Sequence, residues 1–413
     1  MTKKIIISMM LIVFTIFILG CGKEFVPIDD SGTTPTGMAG LAESNNKFAF
    51  DMYAKLNTDQ NLFFSPYSLS AALAMAYEGA KGETAEEIRN VFYFPEDKGA
   101  FRSSFAGIYN NLNKEDKKYK LHTANAMWAQ QDYTFLPSYV QTLNNYYGAL
   151  SENLDFVNDA TGSADRINDW VKDKTDGKIT DLVSPSALNA QTRLVLTNAI
   201  YFKGTWEDKF DKDDTDNEDF WISPEEKIIT PMMELTDEHF RYGETDNLQI
   251  IELPYKGYEL SMFVILPKEI KENGLVEVEE SLNADKLKEL QEQMQNQLVY
   301  LYFPKFKFDL KYSMAEILAD MGMPLAFTWP GADFSEMDGT TDLYINEVLH
   351  HALIDVDEKG TTAIAASGVF VGVGSIAPSE PVTFRADHPF MFLIQERMTG
   401  NILFIGKVVD PSK

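Results

Sequence analysis

Residues 358–384 read EKGTTAIAASGVFVGVGSIAPSEPVTF, and from Gly360 to Gly374 the run carries no charge and no proline. Nearly every side chain in it is small or β-branched. Surface loops draw on Pro, Asn, Asp and charged residues, which set turns and solvate the backbone; this stretch is composed like a strand. Read at period two, Thr361, Ala363, Ala365, Ser367, Val369 and Val371 share one face, the pattern of a half-buried strand over a core. Thr362, Ile364, Ala366, Gly368, Phe370 and Gly372 form the other. Strand character should stop at Pro378 and Pro381, because proline cannot donate to a central ladder. Composition alone leaves two ordinary readings open, a permanent interior strand or a Gly/Ala-rich linker.

The rest of the chain has to supply the context. Its 413 residues, 45% of them hydrophobic, can bury one large core or two domain-sized ones. The formal net charge of −27 repels nucleic acid and anionic membrane surfaces, so neither is expected as a partner. Catalytic signatures are missing as well. The five histidines, His122, His239, His350, His351 and His388, show no metal-binding spacing, and no G-x-S-x-G elbow or phosphate-loop lysine accompanies Gly372-Val373-Gly374-Ser375. His350 and His351 are adjacent and would point to opposite faces of a strand, so they cannot grip one ion. We therefore expect no enzyme, no metal and no cofactor.

At the N-terminus Lys3 and Lys4 precede an apolar run over residues 5–19, broken only by Ser8 and Thr15, which reads as an export signal. The run falls short of the roughly 20 residues of a spanning helix. It ends in Ile18-Leu19-Gly20-Cys21, which resembles the lipobox of bacterial lipoproteins. Cys21 is the only cysteine, so it cannot form an intramolecular disulfide, and the resemblance makes it the lipidation site. Removal of residues 1–20 deletes Lys3 and Lys4 and takes the charge from −27 to −29. Residues 21–40, rich in Gly, Thr, Pro and Asp, read as a flexible tether, with the folded domain over 41–413. The expected address is extracytoplasmic, lipid-anchored to a bacterial envelope or surface, or otherwise secreted.

Along the body, residues 41–56 predict a first helix. In 61–84, NLFFSPYSLSAALAMAYEGAKGET, a short strand is followed by a Ser-Pro helix start and a buried face. Residues 123–130 alternate like a strand, and 135–146 predict a helix. In LVLTNAIYFKGTWEDKF, 194–210, Asn198 interrupts a run apolar enough for a central strand, and a buried amide without partners costs about 1–3 kcal/mol. Two strands around Lys256-Gly257 form a hairpin, residues 299–308 alternate as one strand before a helix, and two apolar strands surround Thr399-Gly400.

Three of these strings carry a family resemblance: residues 61–84, INDWVKDKTDGKI at 167–179, and LYINEVLHHA at 343–352 followed by DEKGTTA at 357–363. Together they resemble the serpins, and the similarity runs from about residue 41 to the C-terminus. It implies an α+β serpin fold with three β-sheets, about eight to nine helices and an exposed reactive-centre loop. It also implies a monomeric inhibitor that acts as a suicide substrate, its loop entering the large sheet after cleavage by a serine protease. In that scheme Ser65, Ser68, Asn198 and His350 form the shutter beneath the sheet. Trp206 marks the breach where the loop enters, Lys305 pairs with Glu358 there, and the hinge comprises Glu358, Gly360, Thr361, Ala363, Ala365 and Ala366. Thr362 stands where the family carries glutamate, and Ile364 is larger than the usual alanine; both fall on the outer face.

Sixteen positions after Glu358, the family's spacing makes Gly374-Ser375 the scissile bond, with Val373-Gly374 the neighbouring alternative. No Lys or Arg occurs between Gly360 and Phe384, which disfavours trypsin-like enzymes. Small aliphatic residues suit elastase-like or subtilisin-like proteases. The competing expectation is a serpin-fold binding or scaffold protein whose loop is a plain substrate.

Overall fold

The computed structural model describes residues 26–114, 117–361 and 380–413. Its six-stranded sheet contains β2 (Lys120–Gln130), β3 (Leu150–Leu154), β4 (Leu194–Thr205), β10 (Phe306–Ser313), β11 (Ile345–Asp357) and β12 (Gly360–Thr361), ordered β10-β11-β12-β4-β2-β3. A nine-stranded sheet takes β1 (Leu62–Phe64), β5 (Thr215–Trp221), β6 (Lys227–Glu244), β7 (Leu248–Pro254), β8 (Leu260–Pro267), β9 (Gln295–Pro304), β13 (Val382–Arg385), β14 (Phe390–Glu396) and β15 (Ile402–Val408). β8, β14 and β15 are buried at every position, as strands covered on both faces require.

The fold is the expected α+β one, with two differences of detail. Hydrogen bonding joins the described strands into two sheets rather than three, because β6 is 18 residues long and pairs with β5, β7 and β9, uniting them in one nine-stranded sheet. Its first part pairs with β5, its last four residues pair with β7, and its register against β9 shifts between Leu235 and Glu238. The described residues also form ten α-helices, above the expected eight to nine; one of them, Ser335–Asp338, is a single turn.

The chain enters the body earlier than residue 41. Helix α1 spans Pro35–Leu56, with Pro35 in its first turn and the Thr34 hydroxyl accepting from the Gly37 N–H at 3.0 Å. Ahead of it, the Ile28 N–H donates to Asn110 Oδ1 at 3.0 Å and the Asp29 N–H donates to the Asn145 carbonyl at 2.7 Å. Residues 28–40 are therefore not a flexible tether. Thr34-Pro35 is a helix start whose signal was submerged in a Gly/Thr/Pro-rich composition.

The alternating run at 299–308 is not one strand either. Pro304 ends β9 in one sheet, Phe306 begins β10 in the other, and Lys305 stands at the corner, its N–H donating to the Pro231 carbonyl at 3.0 Å.

Helix α2 (Pro66–Gly79), buried along its whole length, packs beneath the six-stranded sheet. It is followed by α3 (Gly82–Phe92), α4 (Lys98–Asn113), α5 (Pro137–Tyr146) and α6 (Ala160–Lys174). Helix α6 covers the opposite face, where Ala164, Ile167 and Val171 form a second core with Ala126, Trp128, Val195 and Ala199. It stops where Asp176 and Gly177 take positive φ and the Gly177 N–H returns to the Lys172 carbonyl at 2.8 Å. With both faces covered, any polar side chain inside the sheet must find its partners there. No described helix is long and apolar enough to cross a membrane.

Candidate functional site

Four residues from three separated stretches meet beneath the middle of the six-stranded sheet. Ser65, Ser68, Asn198 and His350 are all fully buried. The Ser65 N–H donates to His350 Nε2 at 3.0 Å, so that nitrogen is unprotonated and Nδ1 carries the hydrogen. His350 Nδ1–H consequently donates to Asn198 Oδ1. The Asn198 amide nitrogen must then donate, and it lies 2.6 Å from both the Ser68 carbonyl and Asn125 Oδ1 and within bonding reach of Ser68 Oγ. Ser65 Oγ accepts from the Ser68 N–H at 3.2 Å and donates to the Leu403 carbonyl at 2.6 Å, tying the cluster to β15.

One backbone N–H thus sets the orientation of the whole chain of groups. Burial, with a smaller contribution from neighbouring His351, pushes the His350 imidazole down to about 3, so it is neutral at physiological pH.

The same residues bridge the seam of the sheet. His350 on β11 and Asn198 on β4 are register partners in a parallel pairing that runs from Ile345 and Leu194 to Leu353 and Tyr201. His351 points to the opposite face, where its Nε2 bonds to Asp309. Burial is the chief cause lowering its pKa as well, opposed by Asp309.

Above Leu353 and Tyr201 the two strands part, and β12 lies between them. Gly360 and Thr361 pair antiparallel with Asp357 and Val356 on one side and with Thr205 and Gly204 on the other. A Cβ on Gly360 would lie 2.1 Å from the Gly204 carbonyl oxygen and 2.7 Å from Thr205 Cα, and its φ is +142°, so only glycine fits. Thr361 points inward, its hydroxyl 2.8 Å from the Tyr255 hydroxyl. Tyr255 stacks on Trp206 with centroids 4.6 Å apart, and Trp206 Nε1–H donates to the Asp357 carbonyl at 3.0 Å.

The turn that feeds β12 is pinned too. Lys305 Nζ lies 2.9 and 3.0 Å from the two Glu358 carboxylate oxygens, and Thr215 Oγ1 donates to the same group at 3.3 Å. Burial pulls the Glu358 carboxyl upward. The Lys305 hydrogen bonds and charge, its own backbone N–H and Thr215 outweigh that and leave it below the usual range.

The structure therefore brings Ser65, Ser68, Asn198 and His350 into one cluster, and Trp206, Lys305, Glu358, Gly360 and Thr361 into another. Ala363, Ala365, Ala366, Val373, Gly374, Ser375 and Cys21 lie outside the described residues. Sequence reasoning did not single out Asn125, Thr215 or Tyr255. Asn125 had a usable signal, because like Asn198 it interrupts a strand with an amide that needs partners. Thr215 and Tyr255 had none, since a Thr or Tyr at a strand end is commonplace. Among the described residues no three or more His, Cys, Asp or Glu side chains gather closely enough to hold a metal ion.

The six-stranded sheet is thus paired between β11 and β4 from Ile345 to Leu353, parts above that, and holds the two residues of β12 in the gap. Comparison with known proteins agrees with that architecture. The family model described as Serpin (serine protease inhibitor) matches residues 43–411. The chain is 40% identical over 411 residues to an uncharacterised serpin-like protein of Methanosarcina acetivorans, covering 97% of this chain and 96% of that one. It is 37% identical over 381 residues to the leukocyte elastase inhibitor of Xenopus laevis, covering 91% and 100%. The crystal structure of Serpin48 from the insect Tenebrio molitor matches with a TM-score of 0.79 at 33% identity, over 91% of this chain and 97% of that one. The chain belongs to the serpin family.

Proposed function

We propose that this serpin is a suicide-substrate inhibitor of elastase-like or subtilisin-like serine proteases. The observation that carries the reading is β12. Gly360 and Thr361 lie between β11 and β4, antiparallel to both, beyond Leu353 and Tyr201 where the parallel pairing of those strands ends. Attack on Gly374-Ser375, or on Val373-Gly374, gives an acyl-enzyme and frees the segment that follows Thr361. That segment then enters as the strand β12 begins. Roughly 14 residues at ~3.3 Å each give a strand of about 46 Å, long enough to carry the bound protease down the body before hydrolysis. The uncleaved state is held by a kinetic barrier rather than by equilibrium. Separation of His350 from Asn198 is part of that barrier.

The uncharged, small-residue sequence of the loop supports the choice of target, and so does similarity to a protein whose name is leukocyte elastase inhibitor. Export and lipidation at Cys21 complete the proposal and place the inhibitor outside the cytoplasm, held by a lipid rather than by a spanning helix. The deciding experiment incubates the protein with pancreatic elastase and with subtilisin, followed by denaturing gels and sequencing of the released C-terminal peptide. The expected result is a covalent band and a new N-terminus at Ser375 or Gly374. Clean cleavage without the band, and without a gain in thermal stability, would establish a plain substrate loop instead. For Cys21, labelled fatty acid should enter the wild type and not Cys21→Ser.

A further inference from the structure

Residues 28–33 lie as a strap along α4, and the strap has a direction. Thr33 Oγ1 donates to the Ser103 carbonyl. A Cβ on Gly107 would lie 2.6 Å from Thr33 Cγ2, so the strap sits as close to the helix as a glycine allows. Further along α4, the buried Asn110 takes both backbone groups of Ile28. Its Oδ1 accepts from the Ile28 N–H at 3.0 Å, and its Nδ2 donates to the Ile28 carbonyl and to Asp30 Oδ2, each at 2.9 Å. The Asp29 N–H is held by the Asn145 carbonyl at the end of α5. Falling residue numbers in the strap therefore run toward rising numbers in α4, toward Asn113 and the turn into β2. On that side Val26 is 75% exposed.

The same end of α4 carries the densest positive charge in the chain. Lys114, Lys117, Lys118 and Lys120 fall within seven residues, and no other stretch of that length holds four basic residues. Lys114, Lys118 and Lys120 are exposed. Glu259 takes Lys117, and Asp176 lies 3.6 Å from Lys120. Lys114 and Lys118 form no ion pair among the described residues. Lys203, the register partner of Lys120 on β4, and Lys178, 6.0 Å from the Tyr201 ring centroid, extend the patch. With Glu115 and Asp116 included, these six lysines stand against four carboxylates, so the patch is positive within a chain of net charge −27.

We infer that the strap is a fixed stalk that sets the body on the membrane in one orientation, with the C-terminal end of α4 and its lysines against anionic lipid headgroups. The inference rests on the anchor proposed at Cys21 and is independent of protease inhibition. Seven residues separate Cys21 from Ile28, a reach of about 25 Å at full extension. Lys114 lies only about 6 Å of helix beyond Asn110. A lipid at Cys21 thus brings this end of the molecule within reach of the headgroups. The lipid supplies the affinity and the patch supplies the orientation. A body of net charge −29 is repelled by an anionic surface except where it is locally positive, so the field that keeps the free chain off such a surface turns the tethered one. Lys203 immediately precedes Gly204 and Thr205, the partners of β12, so the headgroup face adjoins the mouth of the sheet.

Cys21 is the only cysteine, so a maleimide-linked diacyl lipid can be placed on it in the chain from Cys21 onward, which contains every described residue. Failure of cellular lipidation is then distinguishable from failure of the orientation. The lipidated chain is put on phosphatidylcholine vesicles with and without phosphatidylglycerol, and lysine acetylation is read residue by residue by mass spectrometry. Lys114, Lys118 and Lys120 should label about threefold more slowly on the anionic vesicles than on the neutral ones, and the difference should fade in about 0.5 M salt. Lys307 and Lys311 on β10, at the opposite edge of the six-stranded sheet, should keep their rates. The double variant Lys114→Gln, Lys118→Gln should abolish the protection of Lys120, and so should Asn110→Ala, which releases the strap; the lysine variant alone suffices should Asn110→Ala disturb α4. Equal labelling of all five lysines on anionic and neutral vesicles, or protection of Lys120 that persists in the double variant, would overturn the inference. Protection by soluble heparin but not by anionic vesicles would assign the patch to a free polyanion and overturn it as well.

Discussion

Lys305 holds Glu358 by both carboxylate oxygens, at 2.9 and 3.0 Å, across the mouth of the six-stranded sheet. The carboxylate side chain is 5% exposed and the lysine 34%, so the pair is only half in water. From this turn the chain passes into Gly360, and its fixation decides how β12 is presented to the gap between β11 and β4.

Loss of Lys305 should leave a buried carboxylate without its cation. For Lys305→Met we predict a destabilisation of about 2 kcal/mol, less than the 3–5 kcal/mol of a fully buried pair because Lys305 is one-third exposed. The pH dependence carries a definite sign. The folded Glu358 pKa is depressed, so its contribution is complete above the unfolded value near 4.5 and is lost as pH falls through the folded one. Denaturant unfolding of wild type and variant at pH 7 and pH 3.5 checks this: the difference should shrink at the lower pH, and equal differences would refute the pairing.

Substitution of Gly360 should expel β12. The methyl group that Gly360→Ala introduces would meet backbone on β4 that cannot move aside. We expect a cost of about 1–3 kcal/mol and faster amide exchange at Trp206, whose N–H donates to the Lys359 carbonyl at 3.0 Å. Unchanged exchange at Trp206 would show that the hinge tolerates a side chain there.

Mild acid should weaken the closed sheet through His350. Its folded pKa of about 3 lies below the ordinary 6.5, so protons bind preferentially to the open or unfolded chain. Stability is therefore full above pH 6.5 and falls as pH drops from there toward 3, by about 2 kcal/mol between pH 7 and pH 5. His351, also depressed, acts in the same direction. A His350→Gln variant should lose most of this slope while retaining that of His351. A wild-type midpoint flat from pH 7 to 5 would contradict the assignment.

The register of β12 makes a prediction about the cleaved chain. Thr361 pairs with Val356 and Gly204, and each later residue should pair one position further back on both strands. Continuation brings Ser367 between His350 and Asn198, the partners that insertion separates. Cleavage with an enzyme that traps no complex should raise the thermal midpoint of wild type by more than that of Ser367→Val, which offers the shutter no hydroxyl. Equal gains would mean that insertion stops short or runs in another register.

Much of this was legible in one dimension. Continuous apolar runs located β4, β7, β8, β14 and β15, because a strand buried on both faces tolerates few polar side chains and declares itself by composition. Asn198 was legible for the same reason, as an amide that a buried strand cannot leave unsatisfied. The order of motifs in 61–84, 167–179 and 343–363 was enough to indicate the family. Tertiary structure alone decided the rest. The corner at Lys305, which sends β9 and β10 into different sheets, depends on the Pro231 carbonyl, distant along the chain. The joining of β5, β7 and β9 into one sheet through β6, with its register shift between Leu235 and Glu238, is invisible in its residues. The tautomer of His350 is settled only when a backbone N–H at Ser65 meets an imidazole from β11. Local patterns follow from what each residue does to its own backbone and face, whereas hydrogen-bond direction and sheet membership are fixed by partners that folding brings together from far along the chain.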